Sequence, residues 1–192
     1  MVASGSNAAL SVDDLLVTRE IIRDADIVLL QLEIPISTVE YVVDVAASSG
    51  VRVILNPAPA AALPDHLLKQ IHIITPNETE AEMLTGIAIK DESTAILAAK
   101  KLKDKGVAIV IITMGAKGAL LLQDDSCIMI PAPVVKAVDT TAAGDVFNGA
   151  LAVALSGNDT MSDAVRYACS AAAISVTRLG AQSSAPHKNE VI

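Results

Sequence analysis

Four short apolar runs, at residues 27–32, 51–55, 71–74 and 107–112, alternate with stretches of helical periodicity. No other feature of the chain constrains its fold as much. A strand that is apolar on both faces needs cover on both, which hairpins with one solvated face do not provide. Parallel strands joined by helical crossovers do provide it. The helical stretches carry their own punctuation. Ser11 with Asp14 three residues on is a capping pattern for a helix running to about Asp24. Ser37-Thr38-Val39-Glu40 opens a helix that stops at Gly50, and Pro64 opens a short one reaching Gln70. Further helices follow at 78–84 and from about Asp91 to Lys105. Beyond 107–112 the rhythm changes. Residues 118–123 and 127–130 read as antiparallel strands around an Asp124-Asp125-Ser126 turn, and the Ala-rich tail is helical over 143–155 and 162–177. The expected fold is α/β: one domain over residues 1–192, with a doubly wound, mainly parallel sheet, helices on both faces and a C-terminal antiparallel hairpin.

Composition narrows the function. A chain of 192 residues buries roughly 70% of its unfolded surface and needs no disulfide or metal staple. With 22 Asp+Glu against 14 Lys+Arg and a net charge of −8, it lacks the basic surface that nucleic acid requires. With no Trp, two Tyr and one Phe, it also lacks the aromatic platforms of single-strand binders. Although 52% of the residues are hydrophobic, no stretch reaches the ~18 consecutive apolar residues of a membrane span. The stretch Met1-Val2-Ala3-Ser4-Gly5-Ser6-Asn7 has neither the basic start nor the apolar core of a secretion signal. Cys127 and Cys169 lie far apart with no CxxC spacing, which suits a reduced, cytoplasmic protein.

In such a sheet ligands bind beyond the carboxyl ends of the strands. Glu33, Asn56, residues 75–77 and residues 113–118 occupy those ends. The most informative segment is Asp139-Thr140-Thr141-Ala142-Ala143-Gly144-Asp145, small residues that lead into a helix. Free backbone N–H groups and the positive end of the helix dipole there make an anion site. Asp145 beside it suits a base for a phosphoryl acceptor; the same pattern is also that of an ordinary acidic helix start. Thr113-Met114-Gly115-Ala116-Lys117-Gly118 lets backbone approach a nucleotide phosphate, or is a plain turn; its spacing is not that of a Walker A loop. Asn77 with Glu80 is a helix cap that also places a carboxylate where it would help hold hydrated Mg²⁺. Glu33 is either a carboxylate that bonds a polyol or a solvated turn residue.

Together these segments resemble the ribokinase-like, PfkB-type carbohydrate kinases over essentially the whole chain. Residues 139–145 are similar to the family signature DTxGAGD, with Ala142 in place of its first Gly, a replacement other members share. Gln31-Leu32-Glu33, Leu55-Asn56-Pro57-Ala58-Pro59, Thr75-Pro76-Asn77-Glu78-Thr79-Glu80 and Phe147-Asn148-Gly149-Ala150 match its ribose-phosphorylating branch. The resemblance implies transfer of the γ-phosphoryl group of ATP to the 5-hydroxyl of D-ribose. Alternatives are another sugar or nucleoside acceptor, or a non-catalytic nucleotide-binding module. It further implies Asp145 as base, with the N–H groups of Ala142, Ala143 and Gly144 as anion hole. Asn77, Thr113, Met114, Gly115, Ala116, Lys117, Gly118, Gly144 and Cys169 would line the ATP site, and Glu80 would support Mg²⁺. Glu33 and Asp145 would contact the sugar. Asp139, Thr141, Ser175, Arg178, Gly180 and Ser184 would surround K⁺ through mostly backbone oxygens. Finally, it implies that about a third of a full-length family chain, the N-terminal part with the lid sheet and most of the sugar site, is absent. Apolar surface left uncovered by its absence would then favour self-association.

Overall fold

A computed structural model describes residues 5–191; Met1, Val2, Ala3 and Ser4 of the N-terminal stretch, and Ile192, lie outside the described residues. Six strands form one sheet in the order β1-β2-β3-β4-β5-β6. They are β1 (Ile27–Leu30), β2 (Arg52–Leu55), β3 (Ile73–Ile74), β4 (Ile109–Thr113), β5 (Ala119–Gln123) and β6 (Ser126–Ile130). The first four pair parallel, and the last two add antiparallel strands. The hairpin turn is tighter than the three residues read from the sequence. Gln123 pairs directly with Ser126, and Asp124 takes a positive φ of 52° between them.

The eight α-helices among the described residues are α1 (Val12–Leu16), α2 (Arg19–Arg23), α3 (Ile36–Ser48), α4 (Asp65–Leu68), α5 (Glu78–Thr85), α6 (Glu92–Asp104), α7 (Ala143–Ser156) and α8 (Met161–Ser175). The helix read as continuous from Ser11 to Asp24 is broken into α1 and α2 at Val17 and Thr18. Thr18 turns its hydroxyl onto the Leu15 carbonyl, competing with the helical ladder. Ser11 and Asp14 do form the capping box.

Strand residues alternate between two cores, as the pleat demands. Val53, Leu55, Ile74, Val110, Ile112, Leu120 and Leu122 face one side, packed with Val39 and Val43 of α3 and Ala95, Ala98 and Leu102 of α6. Ile54, Ile73, Ile109, Ile111 and Leu121 face the other, against Phe147 and Leu151 of α7 and Val165 and Ala168 of α8. Helices therefore cover both faces of the sheet. Because α3, α4 and α6 all return on one face, every crossover has the same hand and each parallel strand is laid beside the last. The edge strand β1 is less covered than its apolar sequence implies: Leu29 is 39% exposed. Full cover needs a neighbouring strand on each side, and among the described residues β1 has one only on its β2 side.

Candidate functional site

The carboxyl ends of β3 and β4 lie side by side. Asn77, just past β3, and Thr113, the last residue of β4, form a parallel bridge, and Thr113 donates its N–H to the Pro76 carbonyl at 2.9 Å. The N-terminal turn of α7 passes over this rim. Between them is a cleft of about 540 Å³. Asn77, Thr113, Gly115, Ala116, Gly118, Gly144 and Cys169 all line it, together with Thr140 and Ala143. Residues from four separate sequence segments thus converge on one hollow.

Glycine makes the floor possible. Gly118 has a φ of +103°, and a Cβ there would lie 2.0 Å from the Ile130 carbonyl oxygen. No other residue allows the backbone after β4 to approach β6 so closely. Met114 does not line the cleft: it is buried in the core that α3 and α6 cover, 3% exposed. Lys117 points outward, 3.8 Å from Glu78. Of the six residues read as a phosphate loop, only Thr113, Gly115, Ala116 and Gly118 line the hollow.

Asn77 caps α5, accepting from the Glu80 N–H at 2.9 Å, while Glu80 accepts from the Asn77 N–H and side-chain amide at 2.8 and 2.9 Å. Burial pushes the Glu80 carboxyl above its usual pKa, and the two Asn77 hydrogen bonds oppose that shift. Cys169 sits on the inner wall, its thiol pushed up to about 11 by burial and therefore protonated at neutral pH.

The turn into α7 begins at Ala142, which adopts the left-handed conformation at φ 59° and ψ 13°. Glycine reaches this region without strain, and for alanine it is unfavourable. The conformation splays the backbone donors that follow. Ala143 gives its N–H to Thr140 at 3.3 Å and Val146 gives its own to Ala142 at 2.9 Å. The N–H groups of Ala142, Gly144 and Asp145 donate to no protein acceptor among the described residues. Of the three amides expected at this turn, those of Ala142 and Gly144 are free, that of Ala143 already has an acceptor in Thr140, and the Asp145 amide is free beside them. On its other side the same turn borders a second hollow of about 530 Å³, lined by Ala142, Asp145, Val146 and Gly149 and closed by residues 181–191. Asp145 is exposed there and accepts a hydrogen bond from the side-chain amide of Gln31, which follows β1. Glu33 is exposed and contacts Asn7 at 3.3 Å.

Behind the turn, Asp139 ties two segments together. It accepts from the Thr141 hydroxyl at 2.6 Å, the Thr141 N–H at 2.9 Å and the Gly180 N–H at 3.0 Å. The Thr141 hydroxyl first, then these amides, hold its carboxyl down to about 2. Val138 and Asp139 both donate their N–H groups to the Val176 carbonyl. Ser175 and Ser184 are buried, with hydroxyls directed to the Ala172 and Ala181 carbonyls. The Arg178 guanidinium is turned to Glu190 at 2.6 Å, so toward the loop Arg178 has only its backbone to offer. Among the described residues no three His, Cys, Asp or Glu side chains gather as a metal cluster.

Sequence reading missed the outer wall of the cleft, formed by Ala132, Pro133, Val134, Val135 and Ala137 and by Ala172, Ala173 and Val176. The one signal was a valine-rich segment beside a proline that leaves Val134 fully exposed, at 101%. Gln31 was visible only as part of a motif, with no role attached.

Fold and cleft together define an α/β domain of the ribokinase-like type. The family description "pfkB family carbohydrate kinase" matches residues 1–188, and the chain belongs to that family. A ribokinase of Haemophilus influenzae is 47% identical over 192 residues, all of this chain and 63% of that relative. The Arabidopsis thaliana ribokinase solved with ribose and ATP superposes with a TM-score of 0.91 at 35% identity, covering 98% of this chain and 62% of that one. The Thermotoga maritima ribokinase gives a TM-score of 0.89 at 41% identity, over 99% of this chain and 62% of that one. The chain therefore spans about 63% of the length of such relatives. Among the described residues no helix is long and apolar enough to cross a membrane.

Proposed function

We propose that this chain carries the nucleotide-binding and phosphoryl-transferring part of an ATP-dependent ribose kinase. One observation carries the reading: the first turn of α7 separates two hollows, with unpartnered Gly144 and Asp145 amides on the turn and the Asp145 carboxylate on the side away from the Asn77–Thr113 rim. A nucleotide with its adenine near Cys169 and its phosphates toward Gly144 would lie on one side, and the acceptor alcohol on the other. In the transfer, the bond between the γ-phosphorus and the bridging oxygen of ADP breaks. A bond from the 5-hydroxyl oxygen of ribose forms, and that hydroxyl's proton passes to Asp145. The free amides offset charge on the moving phosphoryl group.

The oxygen-rich loop formed by Asp139, Thr141, Ser175, Arg178, Gly180 and Ser184 offers one carboxylate and several carbonyls, a donor set suited to a hard monovalent cation such as K⁺. Glu80 has both oxygens engaged by Asn77, so its contribution to Mg²⁺ is negative charge and its remaining lone pairs, reached through water. Mg²⁺ itself supplies neutralisation of the triphosphate charge. Glu33 would bond sugar hydroxyls. A cytoplasmic location would fit the use of ATP, and the exposed edge at Leu29 supports self-association, which sedimentation would measure.

Ribose-dependent ADP formation by the chain, alone and with the remaining portion of a ribokinase relative supplied separately, tests the reading. Asp145→Asn should lower the rate by ~10²–10⁴-fold. ATP binding without transfer under both conditions would instead favour a non-catalytic nucleotide-binding module. Because a deoxyribokinase of Salmonella typhi is 37% identical over 97% of the chain, 2-deoxyribose belongs beside ribose, fructose and a nucleoside in the acceptor panel.

A further inference from the structure

Two buried polar side chains inside the fold have no part in the site described so far. Thr75 directly follows β3 and is 2% exposed; Asn148 lies on α7 and is 3% exposed. The Thr75 hydroxyl donates to the Asn148 Oδ1 at 2.7 Å across 73 residues of sequence, and the Asn148 Nδ2 donates to the Gly144 carbonyl at 2.8 Å. The chemistry fixes the direction of this chain of bonds. A carbonyl only accepts, so the amide nitrogen of Asn148 must face Gly144. Its oxygen then faces Thr75, and the hydroxyl must supply the proton. The same hydroxyl lies 3.4 Å from the Leu55 carbonyl, a poorer acceptor position than Asn148.

We infer that Thr75 and Asn148 are positioning residues that lock the anion-binding turn of α7 to the end of β3. The Gly144 carbonyl and the Asp145 N–H belong to one rigid peptide plane. Holding the carbonyl therefore sets where the Asp145 amide points, and with it the start of the Asp145 side chain. Without the lock, the first turn of α7, which begins with a strained Ala142, would hold that plane by its helical hydrogen bond alone. Burial makes the arrangement consequential, because a buried donor or acceptor left without a partner is unfavourable by more than the bond it loses. The inference rests on the turn handling a phosphate, as proposed above.

The test uses the full chain and two probes, ATP and adenosine, each titrated by calorimetry. The ratio of the two affinities isolates what the phosphates contribute. Thr75→Val keeps the side-chain shape and removes the donor; it should reduce that ratio by about tenfold, with Thr75→Ser restoring it. Asn148→Leu should do the same. The amide resonances of Gly144 and Asp145 should move in Thr75→Val and return in Thr75→Ser, a readout that requires no ligand. A merely structural role would lower the melting temperature and leave the ratio and those resonances unchanged, which overturns the inference even if Asn148→Leu fails to fold. A wild-type chain that binds ATP no better than adenosine would overturn the phosphate reading itself, and this inference with it.

Discussion

Gln31, the residue that follows β1, gives its side-chain amide to the Oδ1 of Asp145, 114 positions further along the chain. The segment after the edge strand of the sheet thus reaches across to the carboxylate proposed above as the base. A carboxylate on the first turn of a helix has free rotation about its side-chain bonds unless something holds it, and Gln31 is what holds it here. Gln31→Ala should therefore reduce kcat about tenfold and leave ATP affinity unchanged. Gln31→Glu should be worse, since it sets a like charge beside Asp145. Steady-state kinetics with a parallel ATP titration would separate the two effects; a loss shared equally by ATP affinity would mean that Gln31 supports the fold rather than the base.

Ala142 pays for its place with backbone strain. At φ 59° it occupies a region that glycine enters freely and that is unfavourable for L-residues by roughly 1 kcal/mol. Ala142→Gly should stabilise the chain by up to about 1 kcal/mol and raise the melting temperature by about 2–4 °C. Ala142→Val should do the opposite, because a β-branched side chain tolerates this conformation least. Thermal unfolding of the three proteins decides it, and a lower melting temperature for Ala142→Gly would contradict the strain.

Local sequence chemistry accounts for much of the architecture. The capping pairs Ser11–Asp14 and Asn77–Glu80 both form, because each needs only residues three apart. The parallel strands are legible because apolar residues must be covered on both faces. The exposure of Leu29 was not legible, since it depends on which strand lies next to β1. Nor was the burial of Met114, because the short helical turn at Gly115–Lys117 rotates that side chain inward while its neighbours line the cleft. The turn into α7 could be found from small residues before a helix, but the partition of its amides depends on Ala142 being left-handed, which no pattern of residue types announces. Thr75 and Asn148 meet only through the packing of α7 on the sheet, so their hydrogen bond has no local signature.

The two glycines of the loop after β4 should respond very differently to the same substitution. At Gly115, φ is +55° and a Cβ would meet nothing within 4 Å, so Gly115→Ala should destabilise by only about 1 kcal/mol. At Gly118 a Cβ would overlap the Ile130 carbonyl at 2.0 Å and crowd the Ala132 nitrogen at 2.6 Å. Gly118→Ala should either fail to fold or force β6 away from the cleft floor, with a loss above about 3 kcal/mol. Urea unfolding of both variants would test the contrast, and similar midpoints would show that the close approach is not needed.

Cys169 offers a chemical probe of the cleft. Its thiol lies at about 11 and its side chain is buried, so little thiolate is present at pH 8. In a Cys127→Ser background, alkylation should be slow compared with a free thiol and slower still when ATP is bound. Mass spectrometry over time reads both rates. A rate indifferent to ATP would place the nucleotide elsewhere.

Asp139 supplies the acid dependence. Its folded pKa, about 2, lies below the ordinary aspartate value of 3.8, so the folded state binds the proton more weakly than the unfolded one. The stability it contributes is therefore fully present above about pH 4 and is lost as pH falls from there through about 2. Other carboxylates titrate in the same range, and a reference lacking only this group isolates its share. Asp139→Asn should be less stable than wild type by an amount that is constant from pH 7 to about 5 and shrinks between about 4 and 2. The variant also loses the charge that draws Gly180 toward Thr141, so the segments 139–141 and 175–184 should exchange amide hydrogens faster at pH 7. Denaturant unfolding at stepped pH measures the first effect and hydrogen exchange the second; a stability difference that persists unchanged to pH 2 would show that Asp139 does not hold its proton as weakly as its three hydrogen bonds imply.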